Sequence, residues 1–232
     1  MSRDEGFSDQ TVPVGRRVFL GIAGLGILGV LFGSRVQRAV GSAVGTGLGG
    51  LIPGGDRFRI YSVTGSFPKV DPSAYRLKIT GLVNRPHTLT LDQLMTMPSV
   101  KIVKDFQCVT GWKVPQVHWE GVRLSDILDV VGVSDRATAV EFDSYDGVDT
   151  ESLTLSQARL PDVIVAYRML GGPITTPHGG PVRLYVAPMY GYKSLKWLSE
   201  VRLVEKPTLG FWEANGYPVD AWINGSQNAS VS

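Results

Sequence analysis

Asp105-Phe106-Gln107-Cys108-Val109-Thr110-Gly111-Trp112 holds the only cysteine of a 232-residue chain. One cysteine forms no internal disulfide, so its thiol has two readings. It is a small buried hydrophobe, or its thiolate is a nucleophile or a ligand for a soft metal. Ahead of it, Ile102, Lys104 and Phe106 alternate with Val103, Asp105 and Gln107, the period of a strand. Cys108 would end that strand, and Thr110-Gly111 would open a turn. Strand ends beside tight turns are where site residues concentrate.

Two further stretches lie toward the C-terminus. In His178-Gly179-Gly180-Pro181-Val182-Arg183, a strand starting near Pro181 puts Val182, Leu184 and Val186 on one face and Arg183 and Tyr185 on the other. An arginine among apolar neighbours needs an anion or a route to water. Its guanidinium can grip two phosphate oxygens at once; the alternative is an exposed sheet face. Gly179-Gly180 lets the backbone approach a flat ring, and His178 can donate at one ring nitrogen while accepting at the other. In Tyr190-Gly191-Tyr192-Lys193-Ser194-Leu195-Lys196-Trp197, two ammonium groups, a hydroxyl and backbone amides can together neutralise a phosphate dianion. A charged amphipathic turn is the other reading. The spacing is not that of a nucleotide P-loop.

Taken in order, DFQCVTGW, HGGPVRLYVAP and MYGYKSLKWL resemble the molybdopterin-binding domain of the sulfite oxidase superfamily, over about residues 56–212. The likeness is nearest to the small haem-free exported bacterial members, which include methionine sulfoxide reductase catalytic subunits. It implies an α+β fold, mixed and mostly β, and a molybdenum-molybdopterin cofactor with one pyranopterin dithiolene. Cys108 would be the protein's ligand to the metal. Ser194, Leu195 and Lys196 would meet the pterin phosphate, with Arg183 and His178 alongside. The resemblance adds Arg59 and Ser144 as cofactor contacts and Tyr167 as a tyrosine facing the metal pocket. Each has a plainer alternative: Arg59 on a solvated edge strand, Ser144 in an ordinary turn, Tyr167 buried with its hydroxyl satisfied.

The implied chemistry is oxygen-atom transfer coupled to two electrons. Sulfite oxidases carry arginines just after the cysteine. Here Val109-Thr110-Gly111-Trp112 is apolar apart from one hydroxyl, so a sulfoxide-type substrate is expected. Oxidation of a small sulfur compound and a cofactor-free exported binding module are the alternatives. No haem-ligand motif is present, so electrons would pass through a separate partner, such as a haem-bearing membrane protein. The catalytic domain is expected to be monomeric.

Net charge is +2, from 23 basic and 21 acidic side chains, too balanced to suggest nucleic acid. Residues 1–36 read as a twin-arginine export signal or membrane anchor. Arg16-Arg17 precede Val18-Phe19-Leu20, and the apolar run that follows has five glycines between Gly21 and Gly33. That run is shorter than the roughly 20 residues of a spanning helix. The location expected is therefore outside the cytoplasm. Residues 37–55 read as a glycine-rich linker, 56–212 as the oxidoreductase domain and 213–232 as a tail whose aromatics fold back or line a substrate mouth. Within the domain, Thr90-Leu91-Asp92-Gln93 and Thr154-Leu155-Ser156-Gln157 are capping boxes. Leu124, Ile127, Leu128 and Val131 have helical period, Val163 to Tyr167 reads as a central strand, and residues 114–120 as an irregular connection.

Overall fold

The computed structural model describes residues 58–223. The signal, the whole linker, the first two residues of the expected domain and the last nine residues lie outside that range. Fourteen regular elements follow in order: β1 Arg76–Gly81, β2 His87–Thr90, α1 Leu91–Thr96, β3 Val100–Gln107, β4 Lys113–Arg123, α2 Leu124–Val131, β5 Ala139–Ser144, β6 Thr150–Thr154, α3 Leu155–Ala158, β7 Val163–Met169, β8 Gly172–Pro173, β9 Arg183–Val186, β10 Leu198–Val204 and α4 Phe211–Ala214. The class is α+β and mostly β.

Both capping boxes form. Thr90 and Thr154 each accept from the N3 amide, while Gln93 and Gln157 reach back to the cap amide. They start α1 and α3 where the chain must leave a strand at once. Helix α2 buries Leu124, Ile127, Leu128 and Val131, its apolar stripe, and stops at Gly132 with φ 70°.

The strands make two sheets. One has the order β2-β1-β10-β5-β6, antiparallel except for the parallel β1–β10 pair. The other runs β3-β4-β7-β8, with β9 also paired to β7. Residues 114–120 are not irregular: they belong to the long strand β4, paired to β3 on one side and β7 on the other. The ladder absorbs Pro115 because the register shifts between Lys104 and Phe106, and Gln116 takes φ 50°. That is a bulge, where a missing amide donor is tolerated. Conversely, residues 58–63 are an irregular segment and not an edge strand.

Strand β7 divides the interior. Val163, Val165 and Tyr167 face the main core, with Leu77, Ile79, Phe142, Leu184, Val201 and helix α2. Ile164 and Ala166 face a second, aromatic cluster holding Phe106, Trp112, Trp119 and Tyr185. Trp119 and Tyr185 stack there at 4.2 Å. Gly121 is obligatory at the β4–β7 crossing, since a Cβ would lie 2.3 Å from the Val165 carbonyl oxygen.

Candidate active site

Beside the aromatic cluster lies a cleft of about 1100 Å³, counting the solvent at its mouth. Arg59, Cys108, His178, Arg183, Ser194 and Lys196 all line it. These residues come from four separate stretches of chain, which the fold brings to one cavity.

Cys108 caps β3. Its amide donates to the Trp112 carbonyl at 2.9 Å, and Gly111 N donates back to the Cys108 carbonyl at 3.1 Å. The turn this closes has Gly111 at φ 95°, in the left-handed region that glycine enters without strain. The thiol is half-buried, with Sγ 3.2 Å from the Thr110 hydroxyl. Burial pushes the thiol upward, opposed by Thr110 and by the charge of Arg59. Phe58, Phe106, Val109 and Trp112 supply the apolar wall around it.

Two cations also line the cleft. Arg183 on β9 is 3% exposed and sits 5.5 Å from both the Phe106 and Trp119 rings. It donates to the carbonyls of His178 and Ser194, at 2.7 Å each. The alternation expected for this strand holds: Arg183 and Tyr185 lie opposite Val182, Leu184 and Val186. Lys196 is partly buried; its ammonium donates to the Tyr61 carbonyl and lies 4.9 Å from the Trp197 ring. Among the described residues no carboxylate forms an ion pair with either cation. Burial lowers Arg183 to about 10 and Lys196 to about 8; the charge of Arg183 lowers Lys196 further, and Asp149 raises both. Gly179, at φ 96°, packs against Lys196, where a Cβ would stand 2.5 Å from its Cγ. His178 stacks edge-on with Phe58 at 4.9 Å.

Three expected residues do not line the cleft. Leu195 is 1% exposed and belongs to the main core. Only its backbone is engaged nearby, its carbonyl accepting from Leu184 N at 2.9 Å. Ser144 is buried at the end of β5, its hydroxyl accepting from Asp146 N at 3.2 Å, which is the turn role. Tyr167 is 5% exposed in the main core. Strand parity explains it: Tyr167 shares a face with Val163 and Val165, and the cleft adjoins the other face. Lys193 also points elsewhere. Its ammonium is enclosed with the carboxylates of Glu151 and Glu213, all at most 2% exposed.

Other residues complete the cleft. Tyr61 and Tyr217 bring phenols to it. Burial raises both, and the charge of Cys108 adds to each. Asp149 enters from the β5–β6 turn. Tyr217 follows α4, where Trp212 packs edge-on against it at 5.1 Å. The tail does fold back: Tyr190 N donates to Ala221 O, Tyr192 Oη to Pro218 O, and Trp222 bridges to Met189. The aromatic richness of residues 211–222 was the signal for Tyr217. For Asp149 the only sequence signal was an acid among turn residues.

The family model described as "Oxidoreductase molybdopterin binding domain" matches residues 64–212. The oxidoreductase YuiH of Bacillus subtilis, whose name states no substrate, is 33% identical over 174 residues, covering 70% of this chain and 87% of that protein. A sulfite oxidase of Arabidopsis thaliana is 29% identical over 188 residues, or 66% of this chain and 48% of that one. YedZ1 of Azospira oryzae, provisionally named a protein-methionine-sulfoxide reductase subunit, is 30% identical, with 73% of this chain and 63% of that protein aligned. The chain thus spans only part of the last two. Among solved structures, the sulfane dehydrogenase SoxCD of Paracoccus pantotrophus superposes with a TM-score of 0.58 at 21% identity, covering 66% of this chain and 46% of that one. That likeness concerns the fold.

Proposed function

Because the chain belongs to the oxidoreductase molybdopterin-binding domain family, in the sulfite oxidase superfamily, and is an enzyme, we propose that it reduces a sulfoxide-type substrate outside the cytoplasm. The S=O bond would break, the sulfur would gain two electrons, and the oxygen would leave as water with two protons. When bound, the molybdenum cofactor supplies the two-electron oxygen-atom transfer.

The residues present suit that cofactor. A thiol lines the cleft. Arg183 and Lys196 line it too; each donates to carbonyl oxygens and keeps further N–H donors and its positive charge for an anion. Cys108 would hold the metal through sulfur. Arg183, Lys196, Ser194 and His178 would hold the pterin and its phosphate. Tyr61 and Tyr217, both shifted upward, keep their phenolic protons at neutral pH and can deliver them to the departing oxygen. The aromatic walls exclude water from the reacting sulfur.

The observation that carries the sulfoxide reading is the wall beside Cys108: Phe58, Phe106, Val109, Trp112 and Tyr217 suit a neutral, apolar-substituted sulfur centre. The name of the Azospira relative agrees with it. A second reading rests on Arg59, the cation that acts on Cys108: it would suit oxidation of a small anionic sulfur compound. We further propose export by the twin-arginine route through Arg16-Arg17, retention at the membrane, and a separate haem-bearing membrane protein as electron donor.

Protein matured in a host that makes molybdopterin should carry molybdenum near one atom per chain. Its reduced metal signal in paramagnetic resonance should vanish on adding methionine sulfoxide. Loss of an oxidised-metal state on adding sulfite instead would favour the second reading, and metal-free protein would sink both. Cys108→Ser should abolish turnover and keep the pterin.

A further inference from the structure

Asp149 is a buried acid that the reaction above does not use. It is 7% exposed, and its Oδ1 is buried with no hydrogen-bond partner. It lines the cleft together with Arg183, Ser194 and Lys196, and the charges of Lys196 and Arg183 act on it. Its backbone is pinned, the amide donating to Asp146 Oδ1 at 2.8 Å and the carbonyl accepting from Ser144 N. The side chain therefore cannot swing away with the turn. An ionised carboxylate is an odd lining for a phosphate seat, since like charges repel at close range.

Charge balance resolves the oddity. Arg183 and Lys196 supply two positive charges. A phosphate monoester brings close to two negative charges at neutral pH. An ionised Asp149 would leave the filled seat with an uncompensated buried negative charge, which is costly. A protonated Asp149 leaves it neutral and turns the idle oxygen atoms into a hydrogen-bond donor and acceptor.

We propose that Asp149 is a proton-carrying member of the anion seat: ionised as the counter-charge to Lys196 and Arg183 while the seat is empty, protonated and donating to a phosphate oxygen when the cofactor is in place. This rests on the molybdopterin reading. The groups facing Asp149 are Lys196 and Arg183, which favour its charge, and Asp146 and Glu213, which oppose it. Burial dominates and already lifts the carboxyl to about 7. A bound dianion acts in the same direction, so the proton is retained well above neutrality in the loaded enzyme. As pH rises further the proton leaves, the seat turns repulsive and the cofactor is released.

The test uses the loaded full-length enzyme and Asp149→Asn, which has the shape of the protonated acid and cannot ionise. The infrared spectrum at pH 7 should contain a carboxylic-acid carbonyl band, shifted in heavy water, that Asp149→Asn lacks. After transfer to pH 9, the wild type should lose pterin at least several-fold faster than at pH 7, whereas Asp149→Asn should release it at nearly the same slow rate at both. Asp149→Ala, without a donor, should lose it quickly at both. Wild-type protein that loads its cofactor but shows no acid band beyond those of Asp149→Asn, or Asp149→Asn that releases pterin as fast as the wild type at pH 9, overturns the proposal and leaves the enzyme reading intact. Wild-type protein that never takes up pterin defeats that reading instead.

Discussion

At the scale of single residues, the tyrosines show how far local pattern reaches. Tyr167 has the right neighbours in the sequence, but β7 is a strand, and its parity sends that ring into the main core. Tyr217, more than a hundred positions beyond Cys108, reaches the cleft because the chain returns after α4. Cys108 and Arg183 were legible because each breaks a local rule, a stranded thiol and a cation in an apolar strand; Lys196 was singled out only by the family resemblance, since its turn otherwise reads as a charged amphipathic one. Asp149 breaks none, since acids are common in turns. Its burial is a tertiary fact. Tyr217→Phe removes one phenolic proton and little volume. Turnover should fall on the order of 100-fold, the usual worth of a positioned acid, with pterin content unchanged. Steady-state kinetics beside a pterin assay would check it, and an undiminished kcat would remove Tyr217 from proton delivery.

At the scale of elements, helix starts and strand periods were readable because capping boxes and alternation are local chemistry. The errors fell where pairing overrides local preference. Residues 114–120 look broken by Pro115, but strands on both sides recruit them into β4. Residues 58–63 look like a strand, but among the described residues no strand pairs with them, and they line the cleft instead. The 3-10 turn Thr176–His178 ends at Gly179 so that the chain can pass over Lys196. Gly179→Ala should push Lys196 off its seat and lower pterin content several-fold. Gly171→Ala is the control: it has a comparable φ of 83°, yet nothing lies within 4 Å of its Cβ. It should cost only backbone strain, about 1–2 kcal/mol, and keep its pterin. Equal losses in the two variants would show that strain alone is responsible.

At the scale of the whole molecule, the enclosed Lys193–Glu151–Glu213 cluster ties three distant parts together: β6, the turn before Ser194, and α4. Two carboxylates share one ammonium, and each keeps a buried oxygen without a partner. Glu151 is raised well above the usual carboxylate range, first by burial, with the charge of Glu213 adding to it and Lys193 opposing. Lys193→Ala leaves the acids without their cation and should destabilise the fold by about 3–5 kcal/mol, read from denaturant unfolding. Adding Glu213→Gln should restore part of that loss; no recovery would mean packing, not charge, is what Lys193 provides. The cluster also fixes the helix that carries Trp212 and leads to Tyr217. Phe58, Arg59 and Tyr61 precede position 64, and Tyr217 follows position 212, so the cleft draws walls from beyond both limits of the family match. The matched span alone thus leaves two sides of the cleft open, and the flanking residues 58–63 and Tyr217 close them. Substitutions in those flanks should change which sulfur compound is turned over without removing the metal's own ligand.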